Sequence, residues 1–167
     1  DDQFILRADF NEGISRLAPH DLVYDILIFE KHLSATIEFV DRHPNIQFVV
    51  DHIAKPKIHP DTFDQNWKTN LIELARRENV SCKLSGMVTE APDFVWDQQL
   101  LTPYFETALE AFGPNRLLFG SDWPVSLLGT DYGKWIDAVN SALNELSLDE
   151  QAAIWGKNAQ RIYKLAT

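Results

Sequence analysis

Four short runs of apolar, β-branched and aromatic residues recur along the chain, at residues 24–29, 47–51, 80–84 and 116–119. Each run is hydrophobic almost throughout, with no strict alternation, which is typical of strands covered on both faces of a parallel sheet. A piece of buried helix would have the same appearance, so the segments between the runs decide the assignment.

Each run is followed by apolar residues three or four positions apart, the spacing of a helix with one buried face. The four stripes are Leu33, Ile37 and Val40; Phe63, Trp67, Leu71 and Leu74; Phe105, Leu109 and Phe112; and Trp135, Val139 and Leu143. We expect Phe63, Trp67 and Leu71 to lie in the core. Strands that alternate with helices in this way predict an α/β fold made of parallel (β/α) units, with residues 1–167 forming one structural unit.

Polar residues and prolines predict where the helices begin. Thr62 and Gln65 have the spacing of a capping box, and Pro103 suits the first position of the third helix. Ser147 and Glu150 predict a capping box that opens a terminal helix, followed by a last helix carrying Ile162 and Leu165. A short helix over residues 11–17 is expected before the first strand.

Charge and composition narrow the choice of partners and location. Fifteen Lys and Arg against 25 Asp and Glu give a net charge of −10, the wrong sign for neutralising nucleic acid or an anionic membrane surface. The single cysteine, Cys82, is expected to be buried and inert, and it forms no intrachain disulfide. With no apolar stretch of membrane-spanning length and no signal-peptide pattern, the prediction is a cytoplasmic protein with no membrane or nucleic-acid partner.

Polar side chains follow three of the predicted strands at their carboxyl ends. His52 and Lys55 come after the second strand, Ser85 after the third, and Asp122 and Trp123 after the fourth. In parallel α/β folds the reactive groups gather at this edge of the sheet, so these positions are candidates for chemistry.

Alternation along the strands predicts which of these side chains share a face. If His52 faces the interior with Val50, then Asp51 faces the helices and serves to fix the loop. If Asp122 faces inward, Gly120 and Leu118 do too, and Ser121 points outward as a second loop-fixing group. For the third strand either Lys83 and Ser85 or Cys82 and Leu84 face inward, and the sequence leaves that choice open.

Each candidate also has a structural interpretation. A single strand-end histidine such as His52 is more often structural than catalytic, and an aspartate before Trp-Pro can be a turn former. The other histidines, at 20, 32, 43 and 59, show no metal-ligand spacing. Dinucleotide, P-loop and nucleophile-elbow motifs are missing from the sequence, which removes the main support for those functions.

Four segments, at residues 48–56, 82–86, 112–125 and 155–163, closely resemble the amidohydrolase-related family of TIM-barrel hydrolases, in particular its sugar-acid lactonases and pyrone-dicarboxylate lactonase. The resemblance implies that residues 1–167 are the C-terminal part of a single (β/α)₈ barrel, with about four of eight strands present, followed by C-terminal helices. The His-x-His metal pair of the family's first strand does not occur in this sequence.

The resemblance also implies roles for individual residues. Asp122 matches the last-strand aspartate that takes a proton from the attacking water, and His52 matches the histidine that polarises the scissile carbonyl. Both match metal ligands where a divalent ion such as zinc is bound in the full-length parent, although some members work without metal. Lys55, Ser85 and Trp123 are adjacent and are expected to contact substrate.

These implications favour a hydrolase that opens the lactone ring of a sugar acid or a similar carboxylated lactone, using an activated water. The small-molecule substrate is the expected partner, and a homo-oligomer is possible. The alternative is a non-catalytic half-barrel or interaction module that needs another chain, because an open sheet leaves two edges unpaired. A complete small doubly wound domain that binds a ligand is a third hypothesis.

Overall fold

In a computed structural model that describes residues 1–166, four parallel strands form one sheet in the order β1-β2-β3-β4. The strands are β1 (Val23–Ile26), β2 (Gln47–Val50), β3 (Val80–Leu84) and β4 (Leu117–Phe119). The predicted parallel α/β fold is therefore confirmed. The first strand ends at Ile26, before residue 29, because residues 27–29 lead into a helical turn at Glu30–His32.

Helices follow every strand, as the apolar stripes predict, and one helix, α1 (Ala8–Ser15), precedes the first strand. The others are α2 (Leu33–Asp41), α3 (Gln65–Ala75), α4 (Gln98–Phe112), α5 (Tyr132–Leu143), α6 (Leu148–Ala152) and α7 (Asn158–Ile162). A π-helical turn at Ala153–Lys157 joins α6 to α7. Of the helices within residues 1–166, none has both the length and the apolar character that a membrane crossing requires.

Two helix starts differ from the prediction because a nearby aspartate is the cap. Asp64 accepts a hydrogen bond from the backbone N–H of Trp67 at 3.0 Å, so α3 begins without the predicted box of Thr62 and Gln65. Asp97 caps α4 in the same way, which places Pro103 in the second turn of the helix. The capping box at the start of α6 forms as predicted.

Phe63 and Leu165 do not lie where the sequence predicts, which was the core for Phe63 and the last helix for Leu165. Phe63 precedes the Asp64 cap and is 37% exposed, whereas Trp67 and Leu71 are buried in the core. The last helix ends at Ile162, so Leu165 lies beyond it and is exposed.

The two faces of the sheet have different coverings. One face carries Val50, Cys82 and Leu84, which belong to the main core formed with the helices. Burial there raises the pKa of the Cys82 thiol, which fits the expected inert cysteine. On the opposite face, Val49 and Leu118 pack against Ile162 of α7.

A polar layer on this opposite, inner face links three strands to the C-terminal segment. The Lys83 ammonium donates a hydrogen bond to Asp25 Oδ2 at 2.6 Å. It also pairs with Asp51 Oδ1 at 2.7 Å, an ion pair that leaves this oxygen without a well-directed hydrogen bond. Tyr163 follows α7, and its hydroxyl donates a hydrogen bond to Asp25 Oδ1 at 2.7 Å.

The pKa values in this layer reflect burial and charge together. Burial opposes the charge on Lys83, but its contacts with the two carboxylates raise its pKa above the ordinary value. Burial and the hydrogen bond to Asp25 raise the pKa of Tyr163 to about 12. Lys83 is therefore a cation and Tyr163 a neutral donor at neutral pH.

Replacing Lys83 by Met tests whether this cation holds the inner face together. The substitution leaves Asp25 and Asp51 partly buried without their counter-charge, and we expect the free energy of unfolding to fall by about 1–3 kcal/mol, less than for a fully buried pair. Urea unfolding followed by circular dichroism measures the change. The matched control is Lys134→Met, which breaks an exposed pair with Asp131 and should change stability by less than about 0.5 kcal/mol. Equal stabilities for the two variants would contradict the proposed role of Lys83.

Candidate functional site

Three polar side chains meet at the carboxyl ends of β2, β3 and β4. The His52 Nδ1 atom lies 2.8 Å from Ser85 Oγ, within hydrogen-bond distance. On the other side of the ring, His52 Nε2 lies 3.4 Å from Asp122 Oδ1. The structure therefore brings together three of the residues that sequence analysis singled out, each from a different strand.

His52 reaches this position because the backbone turns sharply after β2. His52, Ile53, Ala54 and Lys55 all have positive φ, at 55°, 46°, 60° and 47°. The prediction that His52 and Asp51 face opposite sides is wrong, because β2 ends at Val50 and alternation does not continue beyond it. Val50 faces the core on the helix side, whereas the side chain of Asp51 turns to Lys83 on the inner face. The side chains of His52 and Asp51 thus lie on the same, inner side of the sheet.

For β3 and β4 the structure settles the side-chain directions. Lys83 and Ser85 face inward, whereas Cys82 and Leu84 face the helices. In β4, Leu118 faces inward as predicted. Ser121 fixes the loop after β4, since its Oγ accepts a hydrogen bond from the Trp123 backbone N–H at 3.2 Å.

Two glycines leave the space that the three side chains occupy. A Cβ on Gly86, which has a φ of +68°, would lie 2.6 Å from Cγ of His52. A Cβ on Gly120 would lie 2.9 Å from Cβ of Ser85. Any larger residue at either position would displace the imidazole or the hydroxyl, so the Gly positions are part of the site.

Two buried tryptophans from the helix layer hold the segments that carry the site. The Trp67 indole N–H donates to the Ile53 carbonyl at 2.6 Å, and the Trp135 indole N–H donates to the Gly120 carbonyl at 2.8 Å. From the sequence, Trp67 and Trp135 are predicted only as core positions. Because a buried indole N–H needs an acceptor, a tryptophan in the helix after a polar strand end is the signal that points to this role.

Burial sets the protonation state of the imidazole. It lowers the pKa of His52 below the ordinary value, and the nearby carboxylates of Asp122 and Asp51 oppose this effect without reversing it. His52 is therefore neutral at neutral pH, with one ring nitrogen protonated and the other free to accept. A neutral imidazole beside a carboxylate can donate a hydrogen bond to a carbonyl while the carboxylate accepts a proton from water.

Serine, histidine and aspartate are also the components of a nucleophilic triad, but their accessibilities exclude that arrangement. The side chains of His52 and Asp122 are 18% and 11% exposed, whereas Ser85 is only 1% exposed and lies behind the ring. A nucleophilic hydroxyl must reach the substrate. Asp122 and His52 are the groups that a small molecule can contact.

The other two candidates lie at the margin of this cluster. The Lys55 ammonium pairs with Glu90 and lies 5.6 Å from the centre of the Phe29 ring. Trp123 follows Asp122 directly and is 65% exposed. Their contact with substrate stays a prediction.

The spacing of His52 and Asp122 suits two ligands of one metal ion. The 3.4 Å between Nε2 and Oδ1 agrees with the roughly 3.4 Å expected for two ligands at about 2.1 Å from a tetrahedral zinc ion. Within residues 1–166, no group of three or more His, Cys, Asp and Glu side chains is placed to hold a metal. The pair can thus supply two ligands, and the remaining ligands of a catalytic site, which needs about three from protein, would come from elsewhere.

Comparison with known proteins supports the resemblance seen in the sequence. The family described as Amidohydrolase matches residues 2–165. An L-fucono-1,5-lactonase of Burkholderia multivorans is 41% identical over 97% of this chain, and the match covers 58% of that protein.

Solved structures give the same result. A zinc-bound amidohydrolase from Burkholderia multivorans superposes with a TM-score of 0.94 and 40% identity, over 99% of this chain and 60% of that one. A probable 2-pyrone-4,6-dicarboxylic acid hydrolase from Acinetobacter baumannii, at 16% identity, shares the fold with a TM-score of 0.77, over 96% of this chain and 59% of that one. The chain therefore spans somewhat over half the length of these proteins. Since the family match runs over almost the whole sequence and the fold agrees with it, the chain belongs to the amidohydrolase family.

Proposed function

We propose that residues 1–167 form the C-terminal part of a (β/α)₈ barrel that hydrolyses the lactone ring of a sugar acid or a similar carboxylated lactone. One observation carries the proposal. His52 and Asp122 follow separate parallel strands, yet His52 Nε2 lies 3.4 Å from Asp122 Oδ1 in one partly open site. The similarity to a lactonase, over somewhat more than half of its length, supports the choice of reaction and a chain that corresponds to part of a longer enzyme.

In the proposed mechanism, Asp122 is the general base. Its carboxylate takes a proton from a water molecule as the water oxygen attacks the lactone carbonyl carbon. His52 donates a hydrogen bond from Nε2 to the carbonyl oxygen and stabilises the negative charge that develops there. When the tetrahedral intermediate collapses, the ring C–O bond breaks and the proton on Asp122 passes to the leaving alkoxide, giving an open-chain hydroxy acid.

The remaining candidates have supporting roles in this proposal. Lys55 and Trp123 lie at the margin of the site and would contact the carboxylate and the sugar face of the substrate. A divalent metal such as zinc would be held by His52 and Asp122 with ligands from outside this chain, and when bound it would polarise the carbonyl. In the metal-free mechanism the same two residues act alone.

The first test replaces Asp122 by Asn. The variant keeps the shape of the side chain but loses the proton acceptor, so we expect kcat for L-fucono-1,5-lactone to fall by about 10²- to 10⁴-fold. The assay uses a fusion, called here the joined protein, of this chain with the part of the Burkholderia multivorans lactonase that lies outside the matched region. Hydrolysis is followed by release of acid at constant pH.

The control for this variant is Asp131→Asn. Asp131 caps α5 by accepting a hydrogen bond from the backbone N–H of Lys134, and asparagine caps a helix nearly as well. We expect its turnover to equal that of the unmodified protein. Full turnover by Asp122→Asn, with the fold intact by circular dichroism, would remove Asp122 from the mechanism.

A second test concerns the half-barrel. Among the described residues, β1 and β4 each pair on one side only, so both edges of the sheet present unpaired backbone groups. The chain by itself should therefore self-associate and show no lactone hydrolysis, whereas the joined protein should be active. Light scattering measures the mass, and a dilute, well-folded monomer of 19.1 kDa would count against an incomplete barrel.

A non-catalytic interaction module is the alternative function that the same open edges favour. It predicts that the joined protein binds or assembles as the chain alone does but turns over no lactone. The two assays together therefore separate the enzyme from the module.

A further inference from the structure

The side of His52 that faces away from the substrate carries a feature that the proposed mechanism does not use. Nδ1 lies 2.8 Å from the hydroxyl of Ser85, whose residue is 1% exposed. Within residues 1–166, this imidazole nitrogen is the hydrogen-bond partner found for that hydroxyl. Ser85 is thus closed off from solvent and aimed at the ring.

We propose that in the metal-free protein Ser85 is a positioning residue whose hydroxyl donates a hydrogen bond to Nδ1 of His52 and so keeps the ring proton on Nε2, facing Asp122 and the substrate. The inference deepens the proposed function and rests on it for its catalytic meaning. It gives Ser85 a role through His52, which differs from the direct substrate contact expected from its position in the sequence.

The direction of the hydrogen bond follows from what each partner can do. Asp122 Oδ1 is an acceptor only and lies 3.4 Å from Nε2, too far for a well-formed hydrogen bond, so it biases the tautomer toward a proton on that nitrogen but does not fix it. The lone pair of Nδ1 then faces Ser85, and a serine hydroxyl can rotate to donate. With the opposite tautomer, the lone pair of Nε2 would face the carboxylate oxygen, which is electrostatically unfavourable.

The geometry around the pair leaves little freedom to rearrange. Gly86 lies against the ring and Gly120 lies against Cβ of Ser85, at distances that exclude a side chain at either position. Neither the imidazole nor the hydroxyl can therefore move far without a collision. Removing the hydroxyl would leave a buried acceptor without a partner, which is costly unless the ring changes tautomer or position.

The experiment compares Ser85→Ala with Ser81→Ala in this chain. Ser81 is a matched control because it lies on β3, the strand that Ser85 follows, faces the same inner side and is 2% exposed. Nitrogen-15 NMR of the histidine rings, at pH 8 with a metal chelator, reports which ring nitrogen carries the proton. The unmodified chain and Ser81→Ala should show His52 with a protonated Nε2 and a free Nδ1, and Ser85→Ala should show the other tautomer at a substantial population.

The result that overturns the proposal is equally definite. A proton on Nδ1 in the unmodified chain would mean that Ser85 accepts, and an unchanged Nε2 tautomer in Ser85→Ala would mean that the hydroxyl does not set it. These readings do not depend on activity. If no lactone is hydrolysed by any protein tested, the proposed function fails while the NMR comparison still decides the tautomer.

Kinetics of the joined protein distinguish positioning from substrate contact. If Ser85 acts only through His52, Ser85→Ala should lower kcat by about 10- to 100-fold with KM nearly unchanged. A rise in KM with kcat unchanged in Ser85→Ala would contradict the positioning role and restore direct substrate contact.

Discussion

Four consecutive residues after β2 hold positive φ, and for residues other than glycine each such conformation costs about 1–2 kcal/mol. Within residues 52–55 one hydrogen bond, from the Lys55 N–H to the His52 carbonyl at 2.8 Å, favours this backbone, which offsets only part of the cost, so the surroundings must impose the rest. Ile53 and Ala54 are fully buried, and the Trp67 indole fixes the carbonyl of Ile53. The core of the α/β layer thus supplies the free energy that turns His52 toward Asp122, as strained backbone at functional sites generally requires.

The same turn explains what could and could not be predicted from the sequence. The strands followed from short continuous apolar runs and most helices from apolar residues three or four positions apart, because both patterns record burial directly. Alternation placed His52 and Asp51 on opposite faces, and it failed because alternation holds only while the strand lasts, and β2 ends at Val50. The candidate pair was nevertheless found, since its residues lie at strand ends whatever their exact direction.

Interactions between distant segments were beyond reach of local patterns. The caps of α3 and α4 are local, but several polar residues lie near each helix start, and the sequence pattern did not single out Asp64 and Asp97. Trp67 and Trp135 look like ordinary core residues in the sequence, and only the fold shows that their indoles meet the backbone of the site. Buried side chains in this protein therefore serve packing and positioning at once.

The contact between Tyr163 and Asp25 joins residues that are 138 positions apart in the chain. Contacts of such long range are slow to form, because the loop between them must close first. During synthesis the contacts of Lys83 with Asp25 and Asp51 can form while this segment is still unmade, but the hydrogen bond from Tyr163 has to wait for it. Until Tyr163 is made, Asp25 Oδ1 lacks this hydrogen bond, and an incompletely packed chain of this kind is prone to aggregate.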